Sequence, residues 1–298
     1  MEIKGQPKVL SYIDSLTIDT LPKSLMLVGE QGSGKHTICK YIANKFNIEL
    51  EPLIPEKLDK DTSLIQAIKE RIDEFYNITS PHMYWIDGSF FVSRGRGELN
   101  SLLKLLEEPL PAIYLVFLCE TTTNVLDTIL NRCYQIKLEY YSRDIMKSFL
   151  TENDWPDIVK VVHTPGQLLS FRKYQPQDVA DLYTYFKENI GSMAKASYPN
   201  VLSINNKKID YGEKVDKDDK NIRFAIQDCV LVMLYALKTL YYDNKEKSVY
   251  YKVFCITDKL YNDLKIFNID VKPLFEHYLV EIKKVLTDDA TRTSEANI

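Results

Sequence analysis

A glycine-rich segment that ends in a lysine is the part of the sequence best suited to bind phosphate. Residues 29–37 read Gly-Glu-Gln-Gly-Ser-Gly-Lys-His-Thr, close to the pattern G-x-x-x-x-G-K-[ST]. The glycines allow the backbone to curl with its N–H groups inward, and Lys35 can reach β- and γ-phosphates. The alternative is a glycine turn that binds nothing. The candidate ATP- or ADP-binding residues are Gly29, Gln31, Gly32, Ser33, Gly34, Lys35, His36 and Thr37.

The position after the lysine departs from this pattern. A hydroxyl there would ligate Mg²⁺, but this chain has His36, a poor ligand for a hard cation that prefers oxygen. Thr37 carries a hydroxyl one position too late. Phosphate binding and hydrolysis are therefore separate questions, and only binding is favoured.

An acidic residue at the end of a second apolar segment is the candidate Mg²⁺ ligand. Residues 82–87 read His-Met-Tyr-Trp-Ile-Asp, and Asp87 could hold the metal through water; a cap of the following turn is an equally good interpretation. Many ATPases place a glutamate directly after such an aspartate to polarise the attacking water. Here that position is Gly88, so the catalytic base is missing.

The segments that must position these residues alternate between strand and helix patterns. Short runs of β-branched or aromatic residues predict strands, and apolar residues three and four apart predict amphipathic helices between them. The strand segments are 24–29, 82–87, 113–119 and 134–138, and the helix segments are 36–46, 63–76 and 97–107. This alternation predicts an α/β fold with a parallel sheet through about residue 140.

The remaining residues have helical patterns without a convincing strand. Short segments separated by breakers suggest a small helical subdomain, and longer periodic segments predict a helical bundle. The short segments are 142–151, 155–162 and 166–174, and the longer ones are 177–196, 222–243, 246–267 and 270–287. Residues 203–221 are polar and of mixed charge, which predicts a surface connector.

Composition excludes several classes of protein. The chain has 298 residues, 27% of them charged, and a net charge of −4, so it lacks the basicity of a protein that grips nucleic acid alone. Its five cysteines are scattered singly and fit neither a disulfide framework nor a zinc ribbon. No leader or apolar membrane segment is recognisable. We expect a cytoplasmic protein without membrane contact.

Two further motifs identify a family resemblance. Residues 99–109 read Leu-Asn-Ser-Leu-Leu-Lys-Leu-Leu-Glu-Glu-Pro and resemble the N-A-L-L-K-x-L-E-E-P helix of bacterial clamp-loader ATPase subunits, which are AAA+ proteins. Residues 128–133 read Thr-Ile-Leu-Asn-Arg-Cys and are similar to the T-I-L-S-R-C motif of that family. The delta-prime type is most similar, because its nucleotide site is commonly degraded.

The resemblance implies an architecture and a set of partners. It predicts an AAA+ P-loop core at 1–140, a small helical lid at 141–177 and an all-helical collar at 178–298 that holds a pentameric ring together. The expected partners are the clamp-loader motor subunits, a delta-type subunit and the sliding clamp of a replicative polymerase. Primed DNA would be contacted only as part of the complex.

The resemblance also assigns roles to single residues. Arg132 would act in trans as an arginine finger at a neighbour's ATP site; for a lone arginine, a surface ion pair is the alternative. Gln167 stands where an active subunit has an arginine. Thr121 or Thr122 would occupy the sensor 1 position, with helix N-capping as the alternative. The family's four-cysteine zinc module is missing between the phosphate loop and Asp87, so no zinc is expected.

The sequence leaves two other functions open. An active clamp-loader ATPase of the gamma or tau type would tolerate His36, with Thr37 supplying the hydroxyl. An AAA+ adaptor outside replication would share the core and recruit another partner. The basic cluster at residues 94–96, Arg-Gly-Arg, fits either a contact with DNA phosphates or a solvated turn.

Overall fold

A computed structural model of the chain contains two compact units. One comprises Met1–Met146 and Thr164–Gln167, and the other Lys147–His163 and Leu168–Ile298. The division into core, lid and collar stays a prediction, and Thr164–Gln167, predicted as lid, groups with the core residues. The structure describes residues 3–54, 64–88, 96–123, 125–189, 201–204, 207–210, 226–243, 247–264, 274, 277–278 and 280–286.

The first unit is built on a parallel sheet, as predicted. The strands lie in the order β2-β3-β4-β1-β5, and each neighbouring pair is parallel. They are β1 (Ser24–Val28), β2 (Glu49–Pro52), β3 (His82–Asp87), β4 (Ile113–Cys119) and β5 (Tyr134–Lys137). The predicted α/β class is confirmed, and β1, β3, β4 and β5 lie within the predicted strand segments.

Strand β2 was not predicted from the sequence. Its residues are Glu-Leu-Glu-Pro, which gives neither an apolar run nor a β-branched pattern. It lies at an edge of the sheet and pairs only with β3 within the described residues, and an edge strand tolerates proline because its outer side need not pair. Pairing with β3 therefore stabilises this strand, since its own sequence carries no strand pattern.

Helices cover both faces of the sheet. Successive residues of β1 alternate between two hydrophobic clusters: Leu25 and Leu27 pack with residues of the first two helices, and Met26 packs with residues of the next two. This alternation is the pleat of a strand buried on both faces. The helices are α1 (Pro7–Ser15), α2 (Lys35–Phe46), α3 (Leu64–Phe75), α4 (Arg96–Glu107), α5 (Asp127–Leu130) and α6 (Arg143–Lys147).

The second unit is mostly helical, but the prediction of an all-helical C-terminal part is wrong in one place. Val201–Ile204 (β6) and Lys207–Asp210 (β7) pair as an antiparallel hairpin. The predicted connector at 203–221 includes β7, whose two lysines and aspartate hide its strand character. The helices are α7 (Ile158–Val161), α8 (Pro165–Phe171), α9 (Pro176–Asn189), α10 (Ile226–Asp243) and α11 (Lys247–Asp263). None of the helices described is long and apolar enough to cross a membrane.

Candidate nucleotide site and candidate arginine finger

The phosphate loop begins at the carboxyl end of a central strand. β1 lies between β4 and β5, and the Gly29 N–H donates to the carbonyl oxygen of Cys119 on β4 at 3.0 Å. The loop then enters α2, which begins at Lys35 with Gly34 as its N-cap residue. Strand, glycine loop and helix are thus arranged as a phosphate site requires.

The backbone of this loop has the curl that the glycines predicted. Gly32 and Gly34 have φ of +76° and +90°, in the left-handed region that residues with a Cβ adopt rarely. A Cβ at Gly29 would lie 2.8 Å from Ser33 Oγ, and that buried hydroxyl has no hydrogen-bond partner among the described residues. A curled loop with an unsatisfied hydroxyl at the N-terminus of a helix fits a phosphate group.

Lys35 turns back onto its own loop. Its Nζ donates to the carbonyl oxygens of Gly29 at 2.7 Å and Glu30 at 2.9 Å. Burial lowers the pKa of Lys35, and the carboxylates of Glu120 and Asp87 offset this only in part. The lysine therefore satisfies carbonyl groups of the loop, and Glu120, which the sequence did not single out, contributes to its electrostatic environment.

His36 packs against an aromatic ring of the sheet. Its imidazole lies 5.0 Å from the indole of Trp85 on β3, with the ring planes tilted by 57°. Burial lowers the pKa of His36, and the charge of Lys40 lowers it further. A neutral imidazole engaged with an indole does not replace the hydroxyl that would ligate Mg²⁺.

Asp87 lies exposed at the end of β3. The described residues contain no group of three or more histidine, cysteine, aspartate or glutamate side chains that could hold a metal ion. Asp87 acts on Lys35 through its charge, and a role in holding Mg²⁺ remains a prediction. The residues thus fit a phosphate but supply little of a hydrolytic Mg²⁺ site.

Gly88, the residue after Asp87, packs directly against β4. Its N–H donates to the Leu118 carbonyl oxygen at 2.7 Å. A Cβ at this position would lie 2.8 Å from that oxygen, 2.8 Å from Cys119 Sγ and 2.9 Å from Cys119 Cα. Contacts this short with the backbone of a central strand are not relieved by turning a side chain. In this backbone, a side chain at the position of the catalytic base would therefore require β4 or the turn after β3 to move.

The segment Thr164–Gln167 packs against the phosphate loop, a contact that the sequence did not predict. Thr164 Oγ1 donates to the Gln31 carbonyl oxygen at 2.8 Å, and the Gly166 N–H donates to the Gly32 carbonyl oxygen at 2.9 Å. The two glycines touch, since a Cβ on Gly166 would overlap the Cα of Gly32. These contacts hold two backbone segments together inside the first unit.

Gln167 takes part in a capping box at the start of α8. The Thr164 N–H donates to Gln167 Oε1 at 3.2 Å, and the Gln167 N–H donates to Thr164 Oγ1 at 3.3 Å. The sequence Thr-Pro-Gly-Gln has the signature of this motif, with proline as the first helical residue. Where an active subunit would have an arginine, this chain thus has a residue that fixes a helix start.

A tyrosine distant in sequence also donates a hydrogen bond to the loop. The Tyr141 hydroxyl donates to the Ser33 carbonyl oxygen at 2.9 Å, and burial raises the pKa of Tyr141. No local signal marks this residue, because the contact spans 108 positions.

Thr121 forms a local turn beyond β4. Its Oγ1 accepts the Thr123 N–H at 3.2 Å and lies 2.8 Å from Thr123 Oγ1. The hydroxyl therefore closes a turn and caps no helix, since α5 begins at Asp127. A sensor role for Thr121 stays a prediction.

Arg132 is held by two acceptors. Its Nη1 donates to the Thr128 carbonyl oxygen at 2.7 Å, and its Nη2 donates to Glu107 Oε1 at 2.6 Å. The ion-pair alternative therefore describes this contact correctly, and it leaves the finger role open because the side chain is still 33% exposed. Of the basic cluster, Arg94 and Gly95 lie outside the described residues, as does the side chain of Arg96.

Comparison with known proteins finds relatives of this chain. A family model described as DNA polymerase III, delta subunit, matches residues 96–142, which include Glu107 and Arg132. The DNA polymerase III subunit gamma of Buchnera aphidicola subsp. Schizaphis graminum is 27% identical over 173 residues, 50% of this chain and 47% of that protein. The DNA polymerase III subunit delta' of Bacillus subtilis is 24% identical over 173 residues, 50% of this chain and 52% of that protein.

The chain thus spans about half the length of the curated relatives it matches. A solved structure of a DNA polymerase III, gamma subunit-related protein from Thermotoga maritima covers 95% of this chain, with 14% identity and a TM-score of 0.46. The resemblance carried by the two motifs is confirmed: the chain is related to the clamp-loader type of bacterial DNA polymerase III subunit, the type named gamma and delta'.

Proposed function

We propose that this chain is a clamp-loader subunit of the delta-prime type. It joins motor subunits and a delta-type subunit in a ring that loads a sliding clamp onto primed DNA. It binds ATP or ADP without efficient hydrolysis and donates Arg132 to the ATP site of a neighbour. The observation that carries this proposal is the packing of Gly88 against β4, next to a phosphate loop that is otherwise well formed.

The absence of hydrolysis follows from three positions with three different physical causes. At Gly88 a glutamate would require β4 or the turn after β3 to move. At His36 an imidazole packed on Trp85 replaces the Mg²⁺-ligating hydroxyl. At Gln167 an amide that caps α8 replaces a cation that would contact the γ-phosphate. Restoring any one of them leaves the other two deficient.

Arg132 retains what a finger needs. Its guanidinium is planar and permanently charged, and it offers paired N–H donors to phosphate oxygens. A finger supplied in trans contributes about 10³–10⁵ in rate in other NTPases. The residues on either side of Arg132 in the motif, Ile129 and Cys133, are buried at 0% and 9% exposure, so the backbone that carries the arginine is fixed.

The remaining parts of the proposal concern assembly. Residues 1–140 form the nucleotide-binding core, 141–177 the lid and 178–298 the collar through which the ring is held together. A chain of net charge −4 is suited to a ring that shares DNA contact among subunits, because its own surface carries no excess of positive charge.

Co-purification with measured turnover tests the proposal. The tagged chain should recover clamp-loader motor subunits from the cell, and the isolated chain should hydrolyse ATP no faster than a Lys35→Ala control in the presence of Mg²⁺. A different stable partner would overturn the assembly role. Turnover comparable to that of an active AAA+ motor would overturn the non-hydrolysing role.

The names of some relatives support a second candidate. Matches described as subunit gamma reach 27% identity, so we also consider an active ATPase of the gamma or tau type. In that case Lys35 would serve catalysis, and Lys35→Ala in the assembled complex would abolish clamp loading. The delta-prime proposal expects little change from the same substitution.

A further inference from the structure

The carboxylate of Glu107 bonds directly to the side chain of Arg132. Glu107 is the last residue of α4, and Arg132 follows the short helix α5. The pair is joined through Glu107 Oε1 and Arg132 Nη2 at 2.6 Å. The Thr128 carbonyl oxygen accepts from the other terminal nitrogen, Nη1, at 2.7 Å. Acceptors on both terminal nitrogens fix the plane of the guanidinium as well as its position.

The two partners are anchored in the same core. Leu105 and Leu106, next to Glu107, and Ile129 and Cys133, on either side of Arg132, all belong to one cluster of buried residues. Their exposures are 5%, 5%, 0% and 9%. Because one packed cluster fixes both backbones, the distance from the carboxylate to the arginine is set by the interior of the protein.

Stability alone is a weak reason for this pair. The Glu107 side chain is 51% exposed and the Arg132 side chain 33%, and ion pairs at such exposed positions add little to stability. The two contacts occupy two of the five N–H donors of the guanidinium. The others remain available to an anion on another molecule, so pairing and phosphate contact are compatible.

We propose that Glu107 is the positioning residue for Arg132, holding the guanidinium in the orientation in which it meets the phosphates of a neighbouring subunit. This inference rests on the proposed function, since it requires that Arg132 act in trans. A metal-binding histidine is oriented by a hydrogen bond from its other ring nitrogen to a nearby acceptor. Glu107 would orient the Arg132 guanidinium in the same way, restricting a flexible group before the reaction begins.

The test uses the complete chain assembled with its motor subunits, with ATP hydrolysis at the adjoining site followed as phosphate release. We expect Glu107→Ala, which removes the acceptor, to lower kcat on the order of 10-fold, as loss of an orienting partner does elsewhere, with KM unchanged. Glu107→Gln keeps an amide oxygen that can still accept from Arg132 and should lower kcat less. Glu107→Ala added to Arg132→Ala should cause no further loss, because the carboxylate acts through the arginine. Glu108→Ala, at the adjacent exposed glutamate, is the matched control and should match the wild type.

The outcomes separate the two proposals. Loss with Arg132→Ala but wild-type rates with Glu107→Ala would overturn the positioning role alone. A rate above wild type with Glu107→Ala would also overturn it, since the carboxylate would then restrain the arginine from reaching its target. A further loss in the double variant would mean that Glu107 acts independently of Arg132. Unchanged rates with Arg132→Ala would overturn the finger itself and this inference with it.

Discussion

The phosphate loop and the Arg132 motif lie in the same unit but contain different parts of an ATPase site. The loop has kept its shape, with left-handed glycines at its turns, while the groups around it that would activate water or ligate Mg²⁺ are replaced or excluded. The Arg132 motif has kept its reactive side chain, held by two acceptors. This contrast is what the proposed function, in which the subunit serves a neighbour's site, would require.

Under the proposed function, the two sites are constrained by different partners. The loop is engaged by its own chain, through Thr164, Gly166 and Tyr141. Arg132 contacts Thr128 and Glu107 of its own chain, and the proposal assigns its exposed part to another subunit. Substitutions in the two regions should therefore differ in which molecule loses activity.

The largest expected effect is that of Arg132→Ala. In the assembled complex we expect hydrolysis at the adjoining site to fall on the order of 10³-fold, about 4 kcal/mol of transition-state stabilisation. The folded state should change little, because the ion pair lost is exposed. Single-turnover phosphate release measures the first effect and thermal unfolding the second. A fall in rate explained by loss of assembly would contradict the prediction, so complex formation is checked by gel filtration.

Gly88→Glu tests the other side of the comparison. The new Cβ would press on the Leu118 carbonyl oxygen and on Cys119, so we expect a destabilisation of about 3 kcal/mol and no gain of hydrolysis. Chemical unfolding and ATP turnover of the isolated chain measure the two effects. Gly88→Ala combined with Cys119→Ala is the control: it removes the sulfur but leaves the backbone overlap, so it should still be destabilised. A stable, hydrolysing Gly88→Glu variant would refute the packing argument.

Gly166→Ala breaks the contact between Thr164–Gln167 and the phosphate loop. A methyl group there overlaps the Gly32 Cα, and we expect a loss of about 1–2 kcal/mol together with faster hydrogen exchange of the residue 166 amide, which donates to Gly32. Leu169→Ala, at a residue of the same helix that is 60% exposed, is the matched control. Unchanged exchange at residue 166 would show that the contact is dispensable.

The smallest expected effect is that of Lys35→Met. Burial lowers the pKa of Lys35 because the charged amine is partly desolvated. This desolvation offsets part of the stabilisation from its two hydrogen bonds, so we expect the free energy of unfolding to change by less than about 1 kcal/mol. Clamp loading by the assembled complex should change less than about 2-fold. The same substitution in the phosphate loop of a motor subunit is the control and should abolish loading. Equal losses in both subunits would favour the gamma-type alternative.

The sequence predicts most of the first unit because its strands are apolar runs. β1, β3, β4 and β5 carry their own burial signal, whereas the charged residues of β2 and β7 conceal the strand pattern. β6 reads Val-Leu-Ser-Ile, a run too short to distinguish a strand from a helix. Pairing with another strand, which is a property of tertiary structure, decides these elements.

The candidate site is predictable in its parts and less so in its arrangement. The phosphate loop, the missing glutamate and Arg132 are visible as motifs. Gly88 packs against β4, and the bond from Thr164 to Gln31 joins residues 133 positions apart. Glu107 lies within a motif recognised from the sequence, but only the fold brings it to Arg132. Contacts between distant segments carry no local signal in a single sequence.

The fit of Gly88 against β4 also has an evolutionary consequence. A glutamate at residue 88 would require the turn after β3 or the central strand β4 to move, and movement of β4 would disturb its pairs with β1 and β3. A single substitution at residue 88 is therefore not expected to supply a catalytic base without a shift of the surrounding backbone. Under the proposed function, this packing would make the absence of hydrolysis hard to reverse by point substitution.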